Sequence, residues 1–504
     1  MSVFGTGVAR ICAVVATPSA QKFRGLVRAA LCQTPTVELR LDWLASDRER
    51  HEALDWLRRT SLRKAVLLAT CRRRVGGGEF AGSAAEELYW LRKARESGCT
   101  WCDLEIETLR EMPGKTVRGC ELPRKVLLSI HDFRRTPKSL KKVKIAAQVG
   151  VAAVKVAAMS RKLSDSTRLL GLARGTGKVV TVPMGEIGLP GRILALREGS
   201  ALLYAPVAAA TAPGQVGLRE IRELYRAHEL TQKTRVYGVI GNPVGQSLSP
   251  LLHNTGYVAA RKDAVFLPFL VEELGDFVKV MREFGVAGFS VTLPYKQKIF
   301  NYLEECEPLA EEIGAVNTVT VRRDRKLAGS NTDYVGVLRA LEGKLKLKDS
   351  RIVIYGAGGA ARAAAFAVAK AGAEVLVCAR REKAAKQLAR AVNGGVLKRA
   401  VLRKEKFDAL FNTTPVGMHP HPESSPLEAA ELNCGLVMDL IYRPMQTKLL
   451  RMAAARGIGT VSGVEMFLAQ GIAQWELWMG SRAPETAMRG AILKALRADE
   501  KAKA

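Results

Sequence analysis

Between Arg10 and Leu230, short apolar runs alternate with longer polar segments of helical spacing, and this alternation constrains the fold more than any other feature. The runs are ICAVVA (from Ile11), TVELRLD (Thr36), AVLLATC (Ala65), WCDLEI (Trp101), KVLLSIH (Lys125), VAAVKVA (Val151), KVVTVP (Lys178) and ALLYAP (Ala201). Strand-sized runs separated by helices imply repeated βα units and a parallel sheet. Eight such units in roughly 220 residues suit a closed (β/α)8 TIM barrel, near the lower end of its size range.

Such a barrel gathers reactive groups at the C-terminal ends of its strands. The polar residues fall there. In TVELRLD, Glu38, Arg40 and Asp42 alternate with Val37, Leu39 and Leu41, so each set shares a face. Arg72 follows the third run, His131 closes the fifth, Lys155 lies within the sixth, Arg192 follows the seventh, and Thr211 and Gln215 follow the eighth. His131 is one of only six histidines; taken alone it reads as a hydrogen-bonded core residue or as a general acid/base. Lys155, inside VAAVKVAAM, reads either as a lysine snorkelling from a strand end or as an amine kept neutral by an apolar wall. A neutral amine one strand from a histidine suits Schiff-base chemistry with proton abstraction, and arginines at 40, 72 and 192 suit a carboxylate.

ELR (38–40), SIHDFRRTP (129–137), VKVA (154–157), MGEIGLPGR (184–192) and TAPGQ (211–215) closely resemble type I 3-dehydroquinate dehydratase over essentially the whole first half. The resemblance implies a metal-free TIM barrel that dehydrates 3-dehydroquinate to 3-dehydroshikimate through a lysine imine. It implies Lys155 as the imine lysine and His131 as the group that removes the C2 proton and helps the hydroxyl leave. Glu38, Arg40, Arg72, Arg192, Thr211 and Gln215 would hold substrate. In the loop after Arg72, Gly76 stands where that family usually has a glutamate, with Glu79 a candidate replacement; Thr211 stands where serine is commoner.

After GLREIRELYRAHELTQKTR, a last barrel helix and a short basic linker, a new strand opens at VYGVIG (from Val236). Further on, RIVIYGAGGAARAAAFAVAKAGAEVLVCARR runs from Arg351 to Arg381. A strand, the loop Gly356-Ala357-Gly358-Gly359-Ala360-Ala361, an alanine-rich helix and a second strand make a Rossmann βαβ unit, its helix N-terminus aimed at a pyrophosphate. The second strand ends in Ala379-Arg380-Arg381 where an acidic residue would mark NAD, so the arginines favour the 2′-phosphate of NADP over chance surface charge.

Ser247 and Ser249 lie in a polar loop suited to a polyol, and Thr292 and Lys296 follow the run GFSVTLP. A Lys296–Asp333 pair suits proton exchange with an alcohol, although Lys296 by itself reads as a surface charge. GNPVGQSLSPLLHN, SVTLPYK, GAVNT, NTD, NTTPVGM (412–418), DLIYRPMQT (439–447) and GVEMFLAQG (463–471) resemble shikimate dehydrogenase from about residue 235 onward. The resemblance implies NADPH-dependent reduction of 3-dehydroshikimate to shikimate by Lys296 and Asp333. Ser247, Ser249, Thr292, Asn317, Tyr442 and Gln470 would contact substrate, and Leu440 and Gly463 would join the glycine loop at the cofactor. Departures are Gln246 for histidine, Ser290 for asparagine and Ala379 for the first residue of Asn-Arg-Thr. The expected division is 1–230 barrel, 231–235 linker, 236–332 substrate domain completed by 460–504, and 333–459 Rossmann domain.

The product of the first half is then the substrate of the second, and a bifunctional shikimate-pathway enzyme is the leading reading. Its rivals are a quinate/shikimate oxidoreductase with an impaired dehydratase half, and a basic nucleic-acid-binding protein on decayed enzyme folds. The net charge of +29 is spread along the chain without aromatic interleaving or a basic tail, which suits anionic small substrates better than nucleic acid. Nine scattered cysteines do not read as a disulfide framework, and Cys99-Thr-Trp-Cys102 lacks a second pair at zinc spacing. With no targeting pattern and no membrane-length apolar run, the expected location is the cytosol.

Overall fold

The computed structural model describes residues 2–501 apart from 61, 63, 113, 115, 118–119, 138–149 and 209–214. It comprises two compact units, residues 1–235 with 268–285, and residues 236–267 with 286–504.

The first unit carries eight strands: β1 (Ile11–Val15), β2 (Thr36–Arg40), β3 (Val66–Thr70), β4 (Trp101–Glu105), β5 (Lys125–Asp132), β6 (Ala153–Met159), β7 (Val179–Met184) and β8 (Leu203–Pro206). They form one sheet ordered β7-β6-β5-β4-β3-β2-β1-β8, and the paired strands run parallel. The barrel is nearly closed. At the β7–β8 seam, the ladder gives way to a bond from the Ala201 amide to the Val179 carbonyl (2.8 Å) and one from the Thr181 amide to Ser200 Oγ (3.0 Å). Leu68, Trp101, Leu127, Val180 and Tyr204 fill its interior, the packed core such a barrel requires. One expected pattern differs: β2 stops at Arg40, and Asp42 sits on a short 3-10 turn (Leu41–Trp43) instead of continuing the strand face.

Among the described residues, two further sheets fall largely in the second unit. In the first, β9 (Arg235–Gly241), β10 (Ala264–Leu270), β11 (Val286–Val291), β12 (Glu305–Cys306), β13 (Thr318–Val321) and β14 (Leu327–Ser330) are ordered β10-β9-β11-β13-β14-β12. β9 and β11 are parallel, whereas β13 is antiparallel to both β11 and β14. In the second, β15 (Arg351–Tyr355), β16 (Glu374–Cys378), β17 (Gly395–Val396), β18 (Phe407–Asn412), β19 (Cys434–Asp439) and β20 (Gly459–Ser462) are parallel, in the order β17-β16-β15-β18-β19-β20. This is the doubly wound Rossmann order, whose ligand crevice opens where the winding reverses, between β15 and β18. The helix Gly359–Lys370 presents Ala361, Ala364, Ala365 and Val368 to that sheet, small side chains that allow close helix-to-strand approach.

Candidate active sites

In the barrel the reactive groups converge on the C-terminal ends of β3 to β6. Register places Glu105, Ser129 and Lys155 side by side across β4, β5 and β6. Lys155 is only 4% exposed; its Nζ ion-pairs with Asp103 and lies 4.8 Å from the centre of the Tyr204 ring. The apolar wall expected beside this lysine is therefore only half of its surroundings. A buried carboxylate compensates the charge that burial would otherwise penalise. Burial alone would raise the Asp103 carboxyl, but Lys155, Arg72 and His131 hold it well below the ordinary carboxylate range.

His131 stands at the end of β5 with Nδ1 3.1 Å from Glu105 Oε1, within hydrogen-bond reach although its N–H is not directed squarely at the oxygen. Burial, reinforced by the Arg72 guanidinium, pushes the imidazole down to about 4 against the pull of Glu105. A neutral ring with Nδ1 facing a carboxylate must carry its proton on Nδ1, leaving the Nε2 lone pair as the base.

The expected substrate arginines differ in how they are engaged. Arg40 binds Asp42 with two bonds (2.9 and 2.6 Å), and Arg72 binds Glu105 (2.7 Å) and approaches Asp103 (3.4 Å). Both thus support the carboxylate framework. Arg192, buried, donates to the Pro183 carbonyl (2.9 Å), and burial pushes its guanidinium down to about 10. Glu38 accepts from Thr70 Oγ1 (2.8 Å). Gln215 is partly buried, and Thr211 lies outside the described residues. Glu79 is exposed, with its backbone amide donating to Asp42, so it does not take up the place beside His131. Asp103 and Glu105, the partners of Lys155 and His131, escaped the sequence reading. Their signal was the alternation in WCDLEI, the same period-two pattern that pointed to Glu38 and Arg40.

In the second unit Lys296, after β11, ion-pairs with Asp333, the first residue of the helix Asp333–Leu341. The other Asp333 oxygen accepts from Asn317 Nδ2 (2.8 Å), whose side-chain oxygen accepts from Thr318 Oγ1 (2.8 Å) and the Thr332 amide (2.8 Å). Gln474, unnoticed in the sequence, completes the frame by donating to Thr318 Oγ1 (3.1 Å) and accepting from Ser290 Oγ (2.9 Å). A serine at position 290 thus meets a neighbouring glutamine. Tyr442 stacks on Phe467 (4.4 Å between centroids) and hydrogen-bonds Ser247, whose Oγ also accepts the Ser249 amide (3.2 Å). Gln470 turns its amide to the Phe467 carbonyl (2.8 Å), and its Cβ packs beside Gly336. Thr292 stands apart, its methyl against Gly241.

The glycine loop fits a dinucleotide. Gly356 has φ 128°, and a Cβ there would lie 2.3 Å from Thr413 Oγ1 just after β18, so only glycine fits the turn from β15 into the helix Gly359–Lys370. Gly358 is exposed with open space where a Cβ would be, leaving the N-terminus of the helix Gly359–Lys370 approachable around Ala357 and Ala360, while Ala361 is buried against the sheet. Arg380 and Arg381 are exposed beyond β16, next to Ala379. Leu440 follows β19, and a Cβ on Gly463 would meet the Leu440 carbonyl at 2.5 Å, so that turn is also held to glycine. The Lys296 stem lies 3.1 to 3.2 Å from where a Gly359 Cβ would sit, which brings the reactive lysine to the head of the same helix.

The type I 3-dehydroquinase family matches residues 11–232, the shikimate dehydrogenase substrate binding domain matches 239–319, and the shikimate 5′-dehydrogenase C-terminal domain matches 463–493. A bifunctional 3-dehydroquinate dehydratase/shikimate dehydrogenase of Arabidopsis thaliana, described as chloroplastic, is 34% identical over 477 residues, covering 89% of this chain and 78% of its own. A shikimate dehydrogenase (NADP(+)) of Bacillus anthracis is 43% identical over 258 residues, 49% of this chain and 93% of its own. The shikimate 5-dehydrogenase of Thermus thermophilus, solved in complex with NADP(H) and shikimate, is 35% identical over 52% of this chain and 99% of its own, with a TM-score of 0.48.

Proposed function

Because the chain belongs to the bifunctional 3-dehydroquinate dehydratase/shikimate dehydrogenase family, we propose that its barrel works through an imine on Lys155 and its second unit through a Lys296–Asp333 proton pair. The observation that carries this reading is that each unit holds one reactive lysine ion-paired to an aspartate beside groups suited to its own reaction. In the barrel, Asp103 would hold Lys155 in position by its charge, and the lysine loses a proton to solvent before attack. Lys155 adds to the C3 carbonyl of 3-dehydroquinate, water leaves, and the imine makes the C2 proton acidic. His131 Nε2 takes that proton, then returns it to the C1 hydroxyl as this departs as water. Hydrolysis of the imine releases 3-dehydroshikimate and frees the lysine. Arg192 is the arginine best suited to the substrate carboxylate, with Glu38, Gln215 and Thr211 on the hydroxyls.

In the second unit, Ser247, Ser249, Thr292, Asn317, Tyr442 and Gln470 would hold 3-dehydroshikimate. Lys296 would give its proton to the carbonyl oxygen as it becomes a hydroxyl, and Asp333 would share in that proton. The loop Gly356–Ala361, with Ala379, Leu440 and Gly463 beside it, would hold NADPH, Arg380 and Arg381 meeting its 2′-phosphate. Bound there, NADPH supplies the hydride. A cytosolic location belongs to the same proposal; cell fractionation would test it.

The test is a one-enzyme assay: purified protein given 3-dehydroquinate and NADPH oxidises the cofactor with nothing else added, and does so far better than with NADH. Oxidation from 3-dehydroshikimate but none from 3-dehydroquinate would remove the dehydratase assignment. Equal use of NADH would remove the role given to Arg380 and Arg381.

A further inference from the structure

We propose that Glu105, at the end of β4, is the positioning residue for His131, and that position 76 is glycine because Glu105 occupies the space a side chain there would need. This rests on the imine reading of the barrel. Glu105 is 2% exposed; Arg72 Nε donates to its Oε1 at 2.7 Å, and Ser129 Oγ (3.3 Å) and His131 Nδ1 (3.1 Å) lie beside the same oxygen. Its Oε2 is buried without a partner among the described residues and lies 1.7 Å from where a Cβ on Gly76 would sit. Gly76 has no left-handed backbone, so the backbone would admit a side chain and only the carboxylate excludes one.

The same strand carries both carboxylates of the site. Asp103 and Glu105 are two residues apart and so share a face; the first pairs with Lys155 and the second faces His131. Ser129 ties them together, donating to Asp103 Oδ1 at 2.5 Å while lying beside Glu105. On the imidazole's flat side Phe133 stacks at 5.7 Å with 10° between planes, and its ring fills the space above Gly77, where a Cβ would come within 2.4 Å. Gly76 thus makes room for the carboxylate at the histidine's edge, while Gly77, left-handed at φ 77°, is held to glycine by its backbone as well as by the ring on the histidine's face. Burial would raise the Glu105 carboxyl, but His131 and Arg72 hold it below its ordinary value, so it remains an acceptor and keeps the imidazole proton on Nδ1.

The experiment compares wild type, Glu105→Gln, Glu105→Ala, Gly76→Glu and the double variant Gly76→Glu/Glu105→Ala. Reduction of added 3-dehydroshikimate by the second unit serves as the folding control in each chain. Borohydride trapping of the imine in wild type tests the underlying mechanism: absence of a Lys155 adduct removes the imine reading and this proposal with it. Given trapping, Glu105→Gln is expected to keep both the adduct and KM for 3-dehydroquinate while losing roughly a hundredfold or more in kcat, the scale of a general base removed from alignment. Its acid limb should move to lower pH, because the carboxylate holds the histidine proton more tightly than an amide. Gly76→Glu alone should lose activity by crowding, and the double variant should exceed both singles, since a glutamate at 76 reaches the vacated place. A kcat for Glu105→Gln within twofold of wild type, parallel loss of trapping and turnover, or a double variant no better than Glu105→Ala would each overturn the assignment.

Discussion

The Lys155 ammonium is held by the Asp103 carboxylate from two strands away, across the C-terminal mouth of the barrel, with Ser129 on the intervening strand binding the other Asp103 oxygen. The lysine is therefore kept in place by a counter-charge before substrate arrives, rather than being neutral through isolation. Asp103 links stability and chemistry at one position.

Replacing Asp103 with asparagine leaves the shape and removes the counter-charge. Breaking one side of a buried ion pair typically costs about 3 to 5 kcal/mol, because the remaining charge is uncompensated. Denaturant unfolding followed through a probe in the first unit should show a loss of that order. Lys155→Met together with Asp103→Asn should recover much of it, since no buried charge is then left alone. An unchanged midpoint for Asp103→Asn would show that water already screens the pair.

His131 sets a pH dependence with a definite sign. Its folded value is about 4 against an ordinary 6.5, so the unfolded chain binds the proton more readily between those limits. Stability from this residue is present above 6.5 and is lost as pH falls toward 4. In the proposed role as base, His131 stays neutral well below the usual histidine range. A profile of kcat/KM for 3-dehydroquinate should therefore hold level from neutrality to about pH 5 before falling, and an acid limb centred near 6.5 would contradict the buried imidazole described above.

If Lys296 and Asp333 act as proposed, variants at these positions separate the two activities. Lys296→Ala or Asp333→Asn should lower 3-dehydroshikimate reduction by about 100- to 10,000-fold, the usual range for lost proton transfer. Conversion of 3-dehydroquinate should continue at its original rate, so that 3-dehydroshikimate accumulates and is seen by its enone absorbance. If Lys296→Ala retained reduction within tenfold, the proton would have to come from elsewhere in the site.

Much of this arrangement was legible in the sequence because it is written in local periods. Strand-length apolar runs at βα spacing marked the barrel, and Gly356-Ala357-Gly358 between strand and helix marked the doubly wound sheet. Lys155 was legible because a lysine inside an apolar run needs a reason to be there, whereas Lys296, by itself a surface charge, stood out only through the family resemblance. Their partners were harder to see. Asp103 and Glu105 look like ordinary strand residues until register sets them beside Ser129 and Lys155, and Gln474 acquires meaning only when its helix reaches Ser290 and Thr318. The same limit explains the arginines: spacing could place Arg40 and Arg72 near the mouth but could not show that Asp42 and Glu105 already engage them.

In the proposed mechanism Arg192 takes the substrate carboxylate. It sits on the helix Leu189–Leu194 after β7, buried and bonded to the neutral carbonyl of Pro183, and burial pushes it down to about 10. A bound carboxylate would restore what burial takes away, and a charged hydrogen bond of this kind is worth about 1.5 to 3 kcal/mol, or roughly 10- to 150-fold in affinity. Arg192→Leu should therefore raise KM for 3-dehydroquinate by that factor, while Arg192→Lys should recover part of it as a point charge without the fork. Arg40→Leu should instead destabilise the first unit, because Asp42 would be left buried without its partner. If Arg40→Leu raised KM more than Arg192→Leu at unchanged stability, the carboxylate would lie at the β2 end of the barrel mouth.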